Sequence, residues 1–564
     1  MSEQANEPVS VDPKQAQEIE LLNDIAKRPF FSRAFGYVKL TGPGLLQGAM
    51  TLGAGSAAAS VIAGASFGYK LLWVQPVAMF LGVMMFAAVS NIVLSRPKSD
   101  RPYWSFMREM KSIWSPLMFI VFLWALGTIM SSVIWHFPQY ALAAGAARSV
   151  VQKISPEVEL SKNIEVEQRD WFGFGKVKTD SETGKPVKAK VAQYTPMGYI
   201  VSVIAGAIIL IVNIVVVFNY GRGGIGVRVY EWFLRFMMAL VFLTFFLVVI
   251  LNIHKIEWLE VIRGFTGYYG IPYNEDPAEY AKTITVVLGM LGAAVGINMT
   301  FLYPYSILKK GWGKEHKALA KWDLGMTLFI PFTLVTSLIM LGMTVSGVYD
   351  GKDIANIDIK VLEAAAALRS GGLISEDLAV YIFCGGLFGM TFGAISAHMT
   401  CCGFTLCEMF GLEQTAWRFR LFALVPSVGV LGIVFQLPFW FPVVASAVCY
   451  TMLPIAYLIF IILSNRRSFI GDAVGKGFKR YAFNVILALA LIAAIIGTGI
   501  QLKEKVYNPI MNPPSQKKDD NKIDQPPKDT QSKAILTFPT LDSQSQHHEA
   551  FVQLQDLSSV PASE

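Results

Sequence analysis

The chain has 564 residues, of which 53% are hydrophobic and only 16% are charged, and its formal net charge at pH 7 is +7. Soluble domains carry roughly 25% charged residues, and the apolar residues here fall in blocks of about 20, the length that crosses a hydrocarbon core. This composition excludes a soluble globular enzyme and predicts an all-α polytopic membrane protein. The positive charge requires no nucleic-acid partner, because the basic residues lie in short loops between the blocks.

The apolar blocks, taken in chain order, predict about eleven transmembrane helices. A polar insert at about residues 150–195, rich in Lys, Glu and Asp, separates the third block from the fourth. The predicted spans cover approximately residues 43–65, 71–94, 116–147, 197–218, 230–252, 284–308, 325–347, 377–406, 420–438, 441–464 and 481–501.

Two polar segments flank the predicted spans. Residues 1–40 contain no apolar core of a signal peptide, which predicts a cytoplasmic N-terminal segment. Residues 503–564 contain Pro-Pro pairs, Lys-Asp runs and Gln-Ser repeats. Such a composition cannot bury enough apolar surface to fold alone, so it predicts a disordered C-terminal tail. Residues 41–502 then form the predicted transmembrane domain.

The distribution of basic residues predicts the orientation. If the N-terminus is cytoplasmic, the short inner loops hold far more Lys and Arg than the short outer loops, as the positive-inside rule requires. An odd number of spans then places the C-terminal tail outside, together with the 150–195 insert. We therefore expect an integral protein of the cell's inner or plasma membrane.

The first span contains the sequence Gly53-Ala54-Gly55-Ser56 at the depth where a membrane helix should be most regular. Two glycines beside a hydroxyl predict a helix that can break. Free backbone groups in lipid are tolerated only where they face protein or a watery cavity, and broken helices of this kind form the substrate sites of many secondary transporters. The alternative is an unbroken helix that uses its small residues for close packing.

A second run of small residues lies in the middle of the sixth span, from Gly292 to Thr300. Gly296 is followed there by Asn298 and Met299. The first and sixth spans occupy corresponding places if the chain consists of two five-helix repeats and an eleventh helix. Paired breaks at such positions are typical of inverted-repeat transporters.

These segments resemble the natural resistance-associated macrophage protein (Nramp) family of divalent-metal transporters. The resemblance covers about residues 40–500 and implies a LeuT-like fold of 5+5 inverted repeats plus one helix. It also implies secondary transport by alternating access, in the manner of a symporter, through a midplane site at the two breaks. The matching residues are Gly42-Pro43, the run from Ala63 to Trp73, Tyr230-Glu231, Gly292-Ala293, the segment from Met390 to Gly403, and Leu453-Pro454.

The chain departs from the family at the residues that bind metal. The family's first helix breaks at Asp-Pro-Gly-Asn, whereas this chain has Gly53 and Ser56 at the positions of the Asp and the Asn. The family's Met-Pro-His in the sixth helix is replaced by Gly296-Ile297-Asn298, with Met299 displaced by three positions. We find no Asp or Glu near the middle of any span. The resemblance therefore implies a metal site with altered selectivity, for example for hydrated magnesium.

Without a carboxylate, the candidate ion ligands are neutral groups. We predict a site formed by Ser56 and Asn298 as metal ligands, by backbone carbonyls near Gly53 and Gly296, and by Met299 and Thr300. Neutral dipoles hold a hydrated ion more readily than a bare one.

Three further polar residues have two readings each. His136 in the third span and His398 in the eighth are candidates for a proton pathway, or they are buried neutral histidines that bond to neighbouring helices. Gln47, two turns before the first break, either lines the cavity or bonds between helices.

Three hypotheses for the function remain open. The first is a carrier of divalent cations, and the second is a carrier of a neutral or anionic solute, for which helix N-termini and the missing carboxylates are favourable. The third is a non-transporting receptor or scaffold that keeps the fold. We expect no enzyme activity and no cofactor, since no motif of nucleophile and base, phosphate loop or zinc spacing is present.

Overall fold

The computed structural model describes residues 13–95, 105–167, 186, 188–220, 224–275, 277–345, 375–434 and 441–503. Within these residues, ten helices are long and apolar enough to cross a membrane, and a pair of shorter helices bent by 52° makes an eleventh span. This number agrees with the sequence prediction. The predicted tail beyond residue 503 lies outside the described residues, as does the middle of the polar insert.

The spans are numbered here in chain order. Among the described residues, five shorter α-helices lie outside them, at Pro13–Lys27, Phe30–Val38, Phe106–Ile113, Trp258–Phe265 and Arg467–Ile470, together with short 3₁₀ helices at Ile253–Lys255 and Gly471–Val474. The spans are Pro43–Thr51 with Ala54–Phe67, Val74–Ser95, Leu117–Ile154, Pro196–Tyr220, Ile225–Leu251, Tyr280–Lys310, Lys314–Val345, Asp377–Met409, Ala416–Ile433, Phe441–Ser464 and Gly477–Leu502.

Span 1 is broken where the sequence predicts it. Its first helix ends at Thr51, and Leu52 and Gly53 leave the helical conformation, Gly53 with the extended angles φ −126° and ψ −165°. A new helix then begins at Ala54 and is tilted by 52° to the first. A bend of this size at mid-span frees backbone groups that the rest of the fold must satisfy.

Span 6 is interrupted at the corresponding place. One helix ends at Ala294 and the next begins at Ile297, with Gly296 extended between them at φ −85° and ψ 156°. Unlike span 1, it continues without a sharp bend as one span from Tyr280 to Lys310. Both predicted breaks are therefore present, and they differ in how far the chain turns.

The core of the bundle lies around spans 3, 6 and 8. Span 8 packs along span 3, and both contact the second half of span 6. A cluster of buried aromatic rings fixes this arrangement: Trp124 of span 3 lies 4.6 Å from Phe301 of span 6 and 5.4 Å from Phe460 of span 10, measured between ring centroids. Such edge-to-face pairs hold the spans at defined distances.

Three details differ from the sequence prediction. The polar insert, for which the sequence predicted no secondary structure, contains two strands, Ser161–Glu167 and Lys188–Tyr194, which form an antiparallel hairpin beside the helical bundle. Span 3 continues to Ile154, into the region assigned to the insert. Span 9 ends at Ile433, and its second half is a 3₁₀ helix, Val425–Ile433, with Pro426 in its first turn.

Candidate functional site

The two breaks open on one buried cavity in the middle of the bundle. Each lining side chain is at most 7% exposed, so the walls of the cavity belong to the buried core of the bundle. About 20 Å³ is open to the centre of a water-sized molecule, which is room for about one water. The lining residues are Met50, Thr51, Gly53, Gly55, Ser56, Trp135, Gln139, Gly292, Ala293, Gly296, Asn298, Met299 and His398.

The second half of span 1 begins with a hydrogen bond from another span. The backbone N–H of Ala54 donates to Oε1 of Gln139 in span 3, at 3.0 Å. The hydroxyl of Ser56 donates to the carbonyl of Gly53 at 3.1 Å, and the N–H of Ala57 donates to the same carbonyl at 3.0 Å. Ser56 thus lies at the cavity as predicted, while the Gly53 carbonyl is already occupied.

The glycines of the first break allow span 3 to approach the backbone of span 1. A Cβ added to Gly55 would lie 2.3 Å from Cη2 of Trp135, and one added to Gly53 would lie 2.6 Å from Nε2 of Gln139. Side chains at either position have no space in this packing. The small residues therefore serve the break and close packing together, which were the two readings of this sequence.

Side chains also form hydrogen bonds with the free backbone groups at the break of span 6. The hydroxyl of Thr51 lies 2.7 Å from the carbonyl of Ala293 and 2.9 Å from that of Ala294, at the end of the first helix. The N–H of Met299 donates to Oδ1 of Asn298 at 3.0 Å. Because Thr51 belongs to span 1, the two breaks are directly bonded to each other.

Asn298 is the central polar residue of the cavity. Its Nδ2 lies 2.9 Å from Nδ1 of His398 in span 8. The Sδ of Met299 accepts a hydrogen bond of 3.4 Å from the N–H of Gly296, whose carbonyl accepts one of 3.1 Å from the N–H of Met299. The structure thus brings together the predicted residues Gly296, Asn298, Met299 and His398.

The two candidate proton-carrying histidines are neighbours. The ring centroids of His136 and His398 are 5.5 Å apart. His398 lines the cavity, whereas His136 lies behind it and bonds through Nδ1 to the carbonyl of Ser132 at 2.8 Å. In the part of the chain that the structure describes, Nε2 of His136 has no hydrogen-bond partner.

Two predicted site residues do not line the cavity. Thr300 points to span 3, where its Oγ1 accepts a hydrogen bond of 3.1 Å from Nε1 of Trp124 and donates one of 2.5 Å to the carbonyl of Ile297. Gln47 is fully buried in the first half of span 1, and neither atom of its amide has a partner among the described residues. In this state, both side chains are buried between helices and do not face the cavity.

Thr51, Trp135 and Gln139 line the cavity and were missed by the sequence analysis. Thr51 could have been recognised from the sequence, because its hydroxyl lies two residues before the break at Gly53. Trp135 directly precedes His136 and Gln139 directly follows Pro138 in span 3. Only the packing of that span against span 1 shows that they face the break.

Buried acids lie at the end of the bundle where span 1 begins, rather than at the cavity. The Asp323 carboxylate accepts hydrogen bonds of 3.2 Å from the N–H of Gly42 and 2.5 Å from that of Gly44. The Glu231 carboxylate bonds to Nζ of Lys310 at 2.5 Å. Asp323 thus ties the start of span 1 to span 7, and the Glu231–Lys310 pair joins span 5 to span 6 beside it. We call the Glu231–Lys310 pair and Asp323 the closing contacts.

The lining residues of the cavity contribute no carboxylate. Among the described residues, no group of three or more His, Cys, Asp or Glu side chains could hold a metal ion. Any ion held here must therefore rely on neutral oxygen, sulfur and imidazole groups.

Comparison with known proteins gives a family match and fold neighbours. The model of the family "Natural resistance-associated macrophage protein-like" (Nramp) matches residues 192–501. The chain is similar to a crystal structure of the manganese transporter of Eremococcus coleocola in complex with an aromatic bis-isothiourea substituted compound, with a TM-score of 0.60 and 13% identity over 86% of this chain and 91% of the transporter.

A mutant of the same transporter gives a TM-score of 0.59 and 14% identity over 87% of this chain and 90% of that one. At these identities the likeness shows the fold alone, and it confirms the expected LeuT-like architecture. No curated protein sequence matches the chain.

Proposed function

Since this chain belongs to the natural resistance-associated macrophage protein-like (Nramp) family, we propose that it is a secondary transporter that moves a divalent metal cation by alternating access. The cation would bind between the broken spans 1 and 6. The observation that carries the proposal is that both breaks, which are far apart in the sequence, open on the same buried cavity.

The chemistry of the cavity favours an ion that keeps part of its water. The available donors are the Ser56 hydroxyl, the Asn298 amide, the Met299 thioether and the His398 imidazole. A bare divalent cation normally requires negatively charged oxygen ligands, whereas neutral dipoles suit an ion whose charge is screened by its own waters. Magnesium dehydrates reluctantly and usually keeps several waters, so we propose a selectivity shifted toward it.

The size of the cavity fits a closed stage of the transport cycle. Room for about one water is too little for a hydrated ion, so loading requires one side to open. The closing contacts at the start of span 1 are the natural place for such opening. Their release would free the first half of span 1 to swing about its break at Leu52 and Gly53.

We also propose that the neighbouring histidines carry protons across the middle of the membrane. In the described spans no acid lies beside them at this depth, and imidazole is the side chain that titrates nearest to neutral pH. His136→Ala should then remove the pH dependence of transport. An unchanged pH profile in that variant would refute the role.

The alternative function is a carrier for a neutral or anionic solute. The observation in its favour is that the N-termini of two half-helices, at Ala54 and Ile297, lie at the cavity without any carboxylate among the lining residues. Helix N-termini favour negative groups. In this case a metal chelator would leave solute uptake unchanged.

The deciding experiment is uptake into proteoliposomes that contain the purified full chain, with manganese and magnesium tested side by side. Uptake of magnesium in preference to manganese supports the neutral site for a hydrated ion. Tight uptake of manganese supports the transport function but contradicts the proposed selectivity. Absence of flux for both ions rejects the metal-transport proposal and leaves the alternative.

The proposed topology places the N-terminus in the cytoplasm and the C-terminus outside, in the inner or plasma membrane. The excess of Lys and Arg in the inner short loops supports this orientation. Labelling of single cysteines from one side of intact cells would test it.

A further inference from the structure

Gln139 lines the cavity but has no role in the function proposed above. It lies in the middle of span 3, is only 1% exposed, and donates no hydrogen bond to the groups around it that are described. Its Oε1 accepts the N–H of Ala54 at 3.0 Å. The side chain is therefore held at the start of the second half of span 1, directly at the break.

This hydrogen bond fixes which end of the amide faces the cavity. A backbone N–H can only donate, so the Gln139 amide must turn its oxygen to Ala54 and its NH₂ group the other way. The NH₂ nitrogen lies 2.6 Å from the point where a Cβ on Gly53 would stand. The space that a side chain at position 53 would need is thus filled by the amide from span 3.

Among the described residues, the NH₂ group of Gln139 has no hydrogen-bond acceptor, and the residue lines the cavity. Since this donor borders the cavity, a group that occupies the cavity can accept its hydrogen bond. Its N–H bonds carry positive partial charge, so they repel a bare cation and attract an oxygen atom.

We propose that Gln139 is a substrate-binding residue that selects ligands which present an oxygen to the protein. Two sources supply such an oxygen: the water shell of a divalent cation, and an oxyanion. The inference rests on the proposed function, because it concerns the same cavity, and it adds the residue that discriminates against a dehydrated ion.

The test uses Gln139→Glu in the full-length purified protein. The carboxylate keeps the shape of the side chain and an oxygen for Ala54, and it replaces the donor by a negative acceptor. We expect the affinity for Mn²⁺, measured by titration calorimetry, to rise about tenfold or more, since carboxylate ligands strongly raise affinity for divalent cations. Binding of sulfate, the probe for an oxyanion, should be lost.

Gln75→Glu is the matched control. Gln75 is equally buried, bonds through Nε2 to Oγ of Ser60 at 3.3 Å, and does not line the cavity. It should leave Mn²⁺ binding unchanged. In the wild-type protein, binding of Mg²⁺ without sulfate identifies the oxygen source as a water shell, and binding of sulfate without Mg²⁺ identifies it as an oxyanion.

The outcomes separate this inference from the function proposed above. If the wild type binds neither metal and Gln139→Glu gains Mn²⁺ binding, Gln139 faces the substrate and metal transport by the natural protein is rejected. If Gln139→Glu and Gln75→Glu bind Mn²⁺ like the wild type, the inference is overturned. Should Gln139→Glu fail to fold, Gln139→Met decides: loss of Mg²⁺ or sulfate binding at an unchanged melting temperature supports the inference, and retained binding overturns it.

Discussion

Gly55 shows how a single atom controls the site. Trp135 of span 3 lies so close to span 1 that a Cβ at position 55 would be 2.3 Å from the rim of the indole ring. The same ring lines the cavity. The position of the third span, and with it the size of the cavity, therefore depends on the absence of a side chain at this residue.

Gly55→Ala should lower stability and abolish transport. The indole ring is rigid and has no flexible end that could give way, so the overpacking should cost about 1–3 kcal/mol of unfolding free energy. Thermal melting in detergent and uptake into proteoliposomes measure the two effects. Gly499→Ala is the control, because a Cβ there meets no atom within 4 Å. Equal melting temperatures for the two variants would contradict the close approach.

Asn298→Ala should reduce transport far more than Ser56→Ala. Asn298 connects the start of the second helix of span 6 to His398, through hydrogen bonds to Met299 N and His398 Nδ1, whereas the hydroxyl of Ser56 donates only within its own turn. We expect at least about a tenfold loss of uptake, which corresponds to about 1.4 kcal/mol. Initial uptake rates measure the loss.

Asn213→Ala is the control for this pair of variants. Asn213 is a fully buried asparagine of span 4 that bonds to the carbonyl of Ile209 in its own helix and lies away from the cavity. Its replacement should leave the transport rate close to that of the wild type. Equal losses for Asn213→Ala and Asn298→Ala would show that the effect of Asn298 is general destabilisation.

At the scale of helices, each break is capped by a side chain from another element. Thr51 of span 1 bonds the carbonyl ends of the first helix of span 6, and Gln139 of span 3 bonds the amide end of the second helix of span 1. If the first half of span 1 moves, either the hydrogen bonds of Thr51 to span 6 break or the first helix of span 6 moves with it. The closing contacts hold the opposite end of the same half-helix.

Lys310→Met should favour the state in which this end is open. Glu231 has a side chain that is 8% exposed, and after the change Arg235, at 3.6 Å, is its one remaining cationic partner among the described residues. Removing one partner of a largely buried ion pair leaves the remaining charge less compensated, so the closed state loses stability relative to the open one. A cysteine introduced at Leu46, which lies beside this pair, should then react faster with a thiol reagent.

The control for this experiment is Lys314→Met, which removes an exposed lysine of the same basic loop. The five natural cysteines are buried, so the introduced thiol gives the measured signal. The role of the ion pair is refuted if the thiol reacts at the same rate in both variants.

Over the whole molecule, the sequence predicted the features that depend on residues close together along the chain, and it missed those that depend on contacts between distant spans. The spans and both breaks follow from apolar blocks and from small residues at Gly53 and Gly296, which are local signals. Gln47 and Gln139 are the same type of residue in apolar spans, and the sequence pointed to Gln47 because it lies near the break along the chain. Only the packing of span 3 against span 1 shows that Gln139 is the one at the cavity.

The hairpin of the polar insert offers a test between a transporter and a receptor that keeps the fold. Its two strands end where the N–H of Thr195 donates to the carbonyl of Leu160 at 3.1 Å. Beside them, the guanidinium of Arg148 bonds to Tyr194 at 2.6 Å and to Ser202 at 2.5 Å, and lies 3.9 Å from the centre of the Tyr194 ring. The hairpin is thus fastened to spans 3 and 4 far from the cavity.

Replacing residues 161–194 by two glycines should leave transport intact and reduce stability. The ends to be joined are already hydrogen-bonded, so the linker needs little rearrangement. The half-buried Arg148 loses a charge-assisted hydrogen bond worth about 2 kcal/mol. Melting temperature and proteoliposome flux measure both quantities. Tyr194→Phe, which removes the same bond and keeps the hairpin, should reproduce most of the stability loss. If the deletion stops flux while Tyr194→Phe does not, the hairpin itself takes part in transport. A receptor that only keeps the fold would show no flux even in the wild type.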